Sequence, residues 1–222
     1  NNIELDFWKN SGLVGTGSTG DKDIELEYTN NSDKTVTFGD LTMRYQDGDR
    51  IYSSDVTGKT FKSFSTMTYS DGYTANGLWY CNGSGGNNRR YIVVKNVEAG
   101  DKVVVYMGSH TKENNLVHFL YQGGDAVQDD TADIGSEQGK KYEFIAKHDG
   151  AYQIYVGSST NVKPFWHRVM IVPGAKVSGA VDAASTGVSG YGLKFVNNTT
   201  NDEITADVAG DGTFTAVLPS GY

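Results

Sequence analysis

Apolar and polar residues alternate along most of the chain up to Pro173. "NIELDFW" sets Ile3, Leu5 and Phe7 against Glu4, Asp6 and Trp8. "DIELEY" puts Ile24, Leu26 and Tyr28 on one face, and "TVTFGDLTMRYQ" continues with Val36, Phe38, Leu41, Met43 and Tyr45. Successive side chains of a strand point to opposite faces, so a period of two is the signature of half-buried β structure. "GLWYC", "RYIVVKN", "KVVVYMG", "LVHFLYQ", "KYEFIAK", "AYQIYVG" and "HRVMIV" are further strand candidates. Asp-Gly pairs in "QDGDR" and "KHDGAY" supply the positive φ that hairpin turns need, and "VEAGDK" is another glycine turn. One short helix is expected at Thr131–Gln138. Strands recurring about every ten residues with turns between them predict an all-β fold, an antiparallel β-sandwich or jelly roll.

The texture changes at "IVPGAKVSG". Residues 1–173 form the expected sandwich, and residues 174–222 a small partial β module without tryptophan. Four short strands are expected in the latter, at Val177–Val181, Leu193–Asn197, Glu203–Val208 and Thr213–Leu218. So short a segment is small for an independent core, so it either docks on the first domain or is cut short. Because the chain opens on Asn1 and not on Met, it is expected to be an excised or mature piece.

Composition narrows the partners. The 222 residues carry a formal charge of −8, with 28 glycines and 12% aromatic residues. A nucleic-acid partner calls for a basic stripe, and no such stripe is visible beyond Arg89-Arg90. An anionic membrane surface is disfavoured on the same ground, and no apolar run approaches the roughly 20 residues of a membrane span. The single cysteine, Cys81, rules out an internal disulfide framework.

Motif by motif, catalysis finds little support. "GTGSTG" matches G-x-G-x-x-G but is followed by a polar strand pattern where a dinucleotide site needs a helix, so it reads as a loop. His110, His118, His148 and His167 lack metal-ligand spacing. On a regular strand Leu78 and Tyr80 share one face, and Trp79 and Cys81 the other, so Cys81 reads as a small core residue. No strand-end pair of carboxylates stands out for glycoside hydrolysis. "DAVQDDTAD" reads as a solvated acidic loop in which Asp125, Asp129 and Asp130 are candidate Ca²⁺ ligands, since that ion takes six to eight oxygens.

The aromatics carry more weight. Many tyrosines fall at or near predicted loops, and Trp8, Trp79 and Trp166 fall at strand edges or ends. An aromatic face stacks on the apolar face of a pyranose, while neighbouring polar side chains bond its hydroxyls, with about 1 kcal/mol per aromatic beyond area burial. A sandwich also buries aromatics in its core, so each position stands between the two roles.

From "NGLWYCNGSGGNNRRY" to "KVVVYMGS" the pattern resembles a β-sandwich module attached to secreted bacterial pectate lyases and related plant-polysaccharide proteins. The matching positions are Asp6-Phe7, Gly77-Leu78, Arg90 and Val103–Val105, and the resemblance spans roughly residues 1–173. The tail is similar to small β modules of such proteins, through "F-x-N-x-T" at Phe195–Thr199 and "D-G-x-F-x-A-x-L-P-x-G-Y" at Asp211–Tyr222. In that group the chain continues beyond this point, which implies truncation.

The resemblance implies an ancillary module and not the lyase, because the stacked repeats of a parallel β-helix are absent. It implies a secreted or cell-surface, non-catalytic carbohydrate-binding module that holds an enzyme or surface complex on a plant polysaccharide, alongside other modules of one protein. An acidic chain suits neutral starch better than polyanionic pectin, and starch-adherence proteins carry similar sandwiches. The expected site residues are Trp79, Tyr80, Trp166 and His167, with Arg89 and Arg90 bonding hydroxyls or uronates. Trp8, Tyr45, Tyr73 and Tyr121 follow. The competing reading is a structural spacer or adhesin module that binds no sugar.

Overall fold

The computed structural model describes residues 3–6, 27–30, 33–38, 41–46, 51–53, 67–75, 78–81, 83, 85–109, 116–123, 128–133, 139–157, 163–182, 191–219 and 222. Among these the structure is all β. In chain order the strands are β1 (Ile3–Asp6), β2 (Glu27–Asn30), β3 (Asp33–Phe38), β4 (Leu41–Gln46), β5 (Ile51–Ser53), β6 (Trp79–Cys81) and β7 (Tyr91–Val97). There follow β8 (Lys102–Ser109), β9 (Leu116–Tyr121), β10 (Gln128–Asp133), β11 (Gly139–Ile145), β12 (Gly150–Val156) and β13 (Pro164–Val172). The tail supplies β14 (Ala175–Ala180), β15 (Gly192–Val196), β16 (Glu203–Asp207) and β17 (Thr213–Leu218). Among the described residues no helix is long and apolar enough to cross a membrane.

Two antiparallel sheets make the sandwich. One runs β11-β8-β13-β6-β5, with β1 also pairing along β13; the other runs β10-β9-β12-β7-β4-β3-β2. The alternation written in the sequence decides which side chains meet between them. Ile92 and Val94 of β7, Val103, Val105 and Met107 of β8, Val117 and Phe119 of β9 and Tyr152, Ile154 and Val156 of β12 share one buried cluster. Phe119 stacks at 4.3 Å on Tyr152 and at 4.8 Å on Phe144. Offset or parallel ring packing of this kind adds to the area term that drives burial.

β13 interrupts its own alternation. Its register against β8 shifts between Trp166 and Arg168, leaving His167 as the extra residue of a β-bulge. Trp166 joins the core beside Val169 and Ile171, although its parity differs from theirs. Phe165 packs with Leu78 and Tyr80 on the other side. Trp79 and Trp166 are cross-strand partners, as are Tyr80 and Phe165.

The strands of the tail pair among themselves as β14-β17 and β15-β16. They bury a cluster of their own, Ala206, Ala216 and Leu218 with Val177, Phe195, Ile204 and Tyr222. Pro173 and Gly174 alone separate β13 from β14. Buried Asp101 fixes this junction: its carboxylate accepts the N–H of Glu98 at 2.9 Å and of Gly174 at 3.0 Å. Gly100, with φ +90°, sits under Val217, whose Cγ1 would lie 2.4 Å from any Cβ placed there. Lys176 reaches Asp149 at 3.4 Å and Glu98 at 3.9 Å.

Two expectations are corrected. Thr131 to Asp133, expected to open a helix, lie in β10, as do Asp129 and Asp130, expected in an acidic loop. Pairing with β9 stabilises this segment as strand, and tertiary pairing overrides a weak local propensity. The short β5, absent from the sequence reading, is held by pairing with β6.

Candidate functional site

The two sheets differ in what covers their outer faces. On the six-stranded sheet, residues 67–75 fold over as a small hairpin, with Tyr69 N–H donating to the Tyr73 carbonyl and Ala75 N–H to that of Met67. Tyr69 is buried, and its phenol hydrogen-bonds His167 Nδ1 at 2.5 Å. Tyr106 donates to Asp71 Oδ2 at 2.7 Å. The Arg168 guanidinium lies 4.5 Å from the ring centre of Tyr73. Burial holds the Tyr69 phenol well above the ordinary range, and burial together with the Asp71 bond pushes Tyr106 up to about 12. The hydrogen bond from Tyr106 keeps the Asp71 carboxyl below its usual range. These groups are spent on each other, and they close this face.

This arrangement settles the position of several expected site residues. Trp79, Tyr80, Trp166 and His167 are 1%, 2%, 0% and 0% exposed. None presents a surface to a ligand, so the expectation of an open tryptophan platform is corrected. The reason is packing: Trp79 and Trp166 fill the space between the sheets, and the bulge turns His167 under Tyr69. Arg90 is buried too, with φ 57° and its guanidinium against Gly83. Cys81 is buried in the main core, as expected.

Of the remaining candidates, Arg89 is half-buried. Tyr73 belongs to the hairpin cover. Tyr121 faces the core side of β9, stacks on His148 at 4.6 Å and donates its hydroxyl to the Asp149 carbonyl at 3.2 Å. Trp8 and Asp125 lie outside the described residues, as do the side chains of Tyr45, Asp129 and Asp130. No cluster of potential metal ligands occurs among the described residues.

The outer face of the seven-stranded sheet carries a groove of about 350 Å³, lined by Gly85, Gly86, Asn87, Asn88, His118, Tyr155 and Gly157. Its volume falls at the small end of ligand sites, which span roughly 300–1,000 Å³. His118 of β9 and Tyr155 of β12 are opposite each other in the ladder. Their neighbours Val117, Phe119, Ile154 and Val156 point inward, so alternation turns both outward. Gly157 follows Tyr155 on the outward parity, and its N–H bonds the Leu116 carbonyl at 2.8 Å. Without a side chain, Gly157 leaves the space that the groove occupies.

The rings of His118 and Tyr155 are 4.5 Å apart and 5° from parallel. Adjacent strands are about 4.8 Å apart, so the two rings stand side by side like pages; His118 is half-buried, while Tyr155 is 8% exposed and packs with Tyr91 and Val93, so the phenol meets the groove over a small area. Burial raises the Tyr155 phenol above its ordinary value, so it stays protonated and able to donate. The opposite wall is the 85–88 backbone with the Asn87 and Asn88 amides. Among the described residues, every polar side chain lining the groove is uncharged or an imidazole. Such a set bonds hydroxyl groups from several directions, as donors and acceptors both.

The groove wall falls in the segment "NGSGGNNRRY", where the sequence analysis expects Arg89 and Arg90 to meet a ligand and assigns nothing to the asparagines. His118 and Tyr155 were missed. The available signal was parity: a histidine flanked by Val117 and Phe119 in an alternating strand must face away from the core.

No protein-family model matches the chain, and comparison with curated proteins gives no match. Solved structures that resemble it do so at low similarity. The K2 adhesin domain of Lys-gingipain aligns with a TM-score of 0.45 at 9% identity, over 78% of this chain and 100% of that one. The CBM22-1-GH10 portion of Clostridium thermocellum xylanase 10B, complexed with xylohexaose, gives a TM-score of 0.40 at 8% identity, over 68% of this chain and 29% of that one. The CBM22-1 xylan-binding domain of Paenibacillus barcinonensis Xyn10C gives 0.38 at 10% identity, over 64% and 96%.

Proposed function

We propose that this protein is a non-catalytic carbohydrate-binding module whose site is the groove between the His118–Tyr155 pair and the Gly85–Asn88 wall. The observation that carries the reading is the groove's lining: the His118 and Tyr155 rings on one side, asparagine amides on the other, and no Asp, Glu, Lys or Arg among its described lining residues. That set favours a neutral glycan over a uronate, so starch stands ahead of pectin as the plant polysaccharide. The described lining also holds no pair of carboxylates of the kind that glycoside hydrolysis uses. Residues 174–222 form a small module docked through Asp101 and Gly100, and the whole serves a secreted or cell-surface protein by holding it on its substrate. Affinity electrophoresis through gels containing soluble starch, xylan, hydroxyethylcellulose or pectin tests the reading. Retardation by a neutral polysaccharide is expected, and free migration in all four gels overturns it.

A further inference from the structure

The wall of the groove is held by a relay that starts outside it. Gln153 of β12 is 5% exposed and stands on the outward parity, two residues before Tyr155. Its Nε2 donates to the Asn87 carbonyl at 2.7 Å. Its Oε1 accepts from Nε2 of exposed Gln122 at 3.1 Å. A carbonyl only accepts, so the Asn87 bond fixes which end of the Gln153 amide points to the wall, and Gln122 completes the other end. The same wall is pinned at its far end, where Arg90 N–H donates to the Arg44 carbonyl at 2.8 Å. Ahead of both points Gly85 packs so closely that a Cβ there would lie 3.0 Å from the Val156 carbonyl oxygen.

We infer that Gln153 is a positioning residue for glycan binding: it holds the Asn87–Asn88 wall at the distance from His118 and Tyr155 that the ligand requires. This rests on the binding reading above. A wall fixed before the ligand arrives spares the ordering cost that a mobile loop would impose on association. Losing the Gln153 donor removes a bond that holds the Asn87 carbonyl and frees the wall.

Gln153→Glu is the discriminating variant. It keeps shape and keeps the acceptor for Gln122, but at neutral pH it lacks the donor and sets a carboxylate against a carbonyl. Protonation of the new carboxyl restores a donor, and burial raises its pKa above the usual value of about 4.3. Affinity electrophoresis in soluble starch and in xylan, from pH 7 to pH 5, gives the variant's dissociation constant relative to wild type at each pH. The expected result is affinity about tenfold weaker or worse at pH 7, with the ratio returning toward one on acidification. Thermal melts at the same pH values separate positioning from a general loss of structure, since the affinity ratio must change where both proteins are equally folded. Gln122→Ala, at an exposed position, serves as the second variant and is expected to weaken binding about threefold. Wild-type migration unaffected by every glycan overturns the binding reading itself. Wild-type retardation with Gln153→Glu and Gln122→Ala unchanged, or with a loss that persists at pH 5, overturns only the role of Gln153.

Discussion

His118 and Tyr155 face each other across the β9–β12 ladder with their rings 5° from parallel and 4.5 Å apart. On the proposed reading, a ligand in the groove meets the phenol and the imidazole edge-on, and hydrogen bonding to hydroxyls outweighs stacking. His118→Ala and Tyr155→Ala are each expected to weaken glycan binding about tenfold, the worth of one or two lost polar contacts. Tyr155→Phe removes only the hydroxyl, and a loss of about threefold to tenfold is expected. Titration calorimetry with a soluble oligosaccharide checks all three, and a Tyr155→Phe variant with unchanged affinity would count against edge-on recognition.

Trp79 and Trp166 carry the opposite expectation. Both are buried cross-strand partners in the core, and truncating a buried aromatic to alanine costs about 3–5 kcal/mol. Urea denaturation followed by tryptophan fluorescence or circular dichroism should show either variant strongly destabilised. Under conditions where it remains folded, its affinity for glycan should stay within a factor of two of wild type. A stable Trp166→Ala protein that no longer binds would contradict the assignment of this residue to the core.

Acid should destabilise the fold through a small set of carboxyls. Asp71, Asp149 and Asp211 all titrate below their ordinary value, held there first by hydrogen bonds from Tyr106, Ala99 N–H and Thr213 respectively. A depressed folded-state pKa means the unfolded chain binds more protons in the window between the two values, so stability rises with pH there. The contribution is whole above the unfolded value of about 3.9 and fades as pH falls through the folded one. Thermal melts from pH 7 to pH 2 should therefore hold steady to about pH 5 and then decline. Asp71→Asn should flatten that decline, and an unaltered slope would exclude Asp71 from it.

The junction offers a fourth test. Asp101→Ala orphans two backbone N–H groups, Glu98 and Gly174, and a buried donor left unpaired costs about 1–3 kcal/mol. Gly100→Val adds a clash with Val217 at a backbone angle that L residues avoid. In both variants ¹⁵N relaxation should show β14 to β17 tumbling more independently of the sandwich, with the β7 to β12 core unchanged. Equal tumbling in wild type and Asp101→Ala would deny this carboxylate its part.

Strand content and face assignment were legible wherever the chain alternates without interruption. The reading that Leu78 and Tyr80 face one way and Trp79 and Cys81 the other is what the two clusters contain. The four tail strands also fall within two residues of their expected bounds. Legibility failed where tertiary pairing sets the outcome. The bulge at His167 reverses parity within one strand, so pattern alone could not send Trp166 inward together with Val169. Tyr69 lies far from His167 in sequence, and nothing local foretells that its hairpin roofs that face. The candidate site was half legible: alternation puts His118 and Tyr155 on one face, but the β9–β12 pairing sets them side by side, and contacts distant in sequence, that of Gln153 with Asn87 among them, bring the wall to meet them.

The chain enters the small module at Ala175 and comes back to Leu218, which is its partner in the β14–β17 ladder. Entry and return therefore share one place on the sandwich. The pairing that closes the tail also sets Ala175 and Leu218 side by side, next to the Gly174 N–H that the Asp101 carboxylate holds, so one carboxylate acts on both the first and the last strand of the tail.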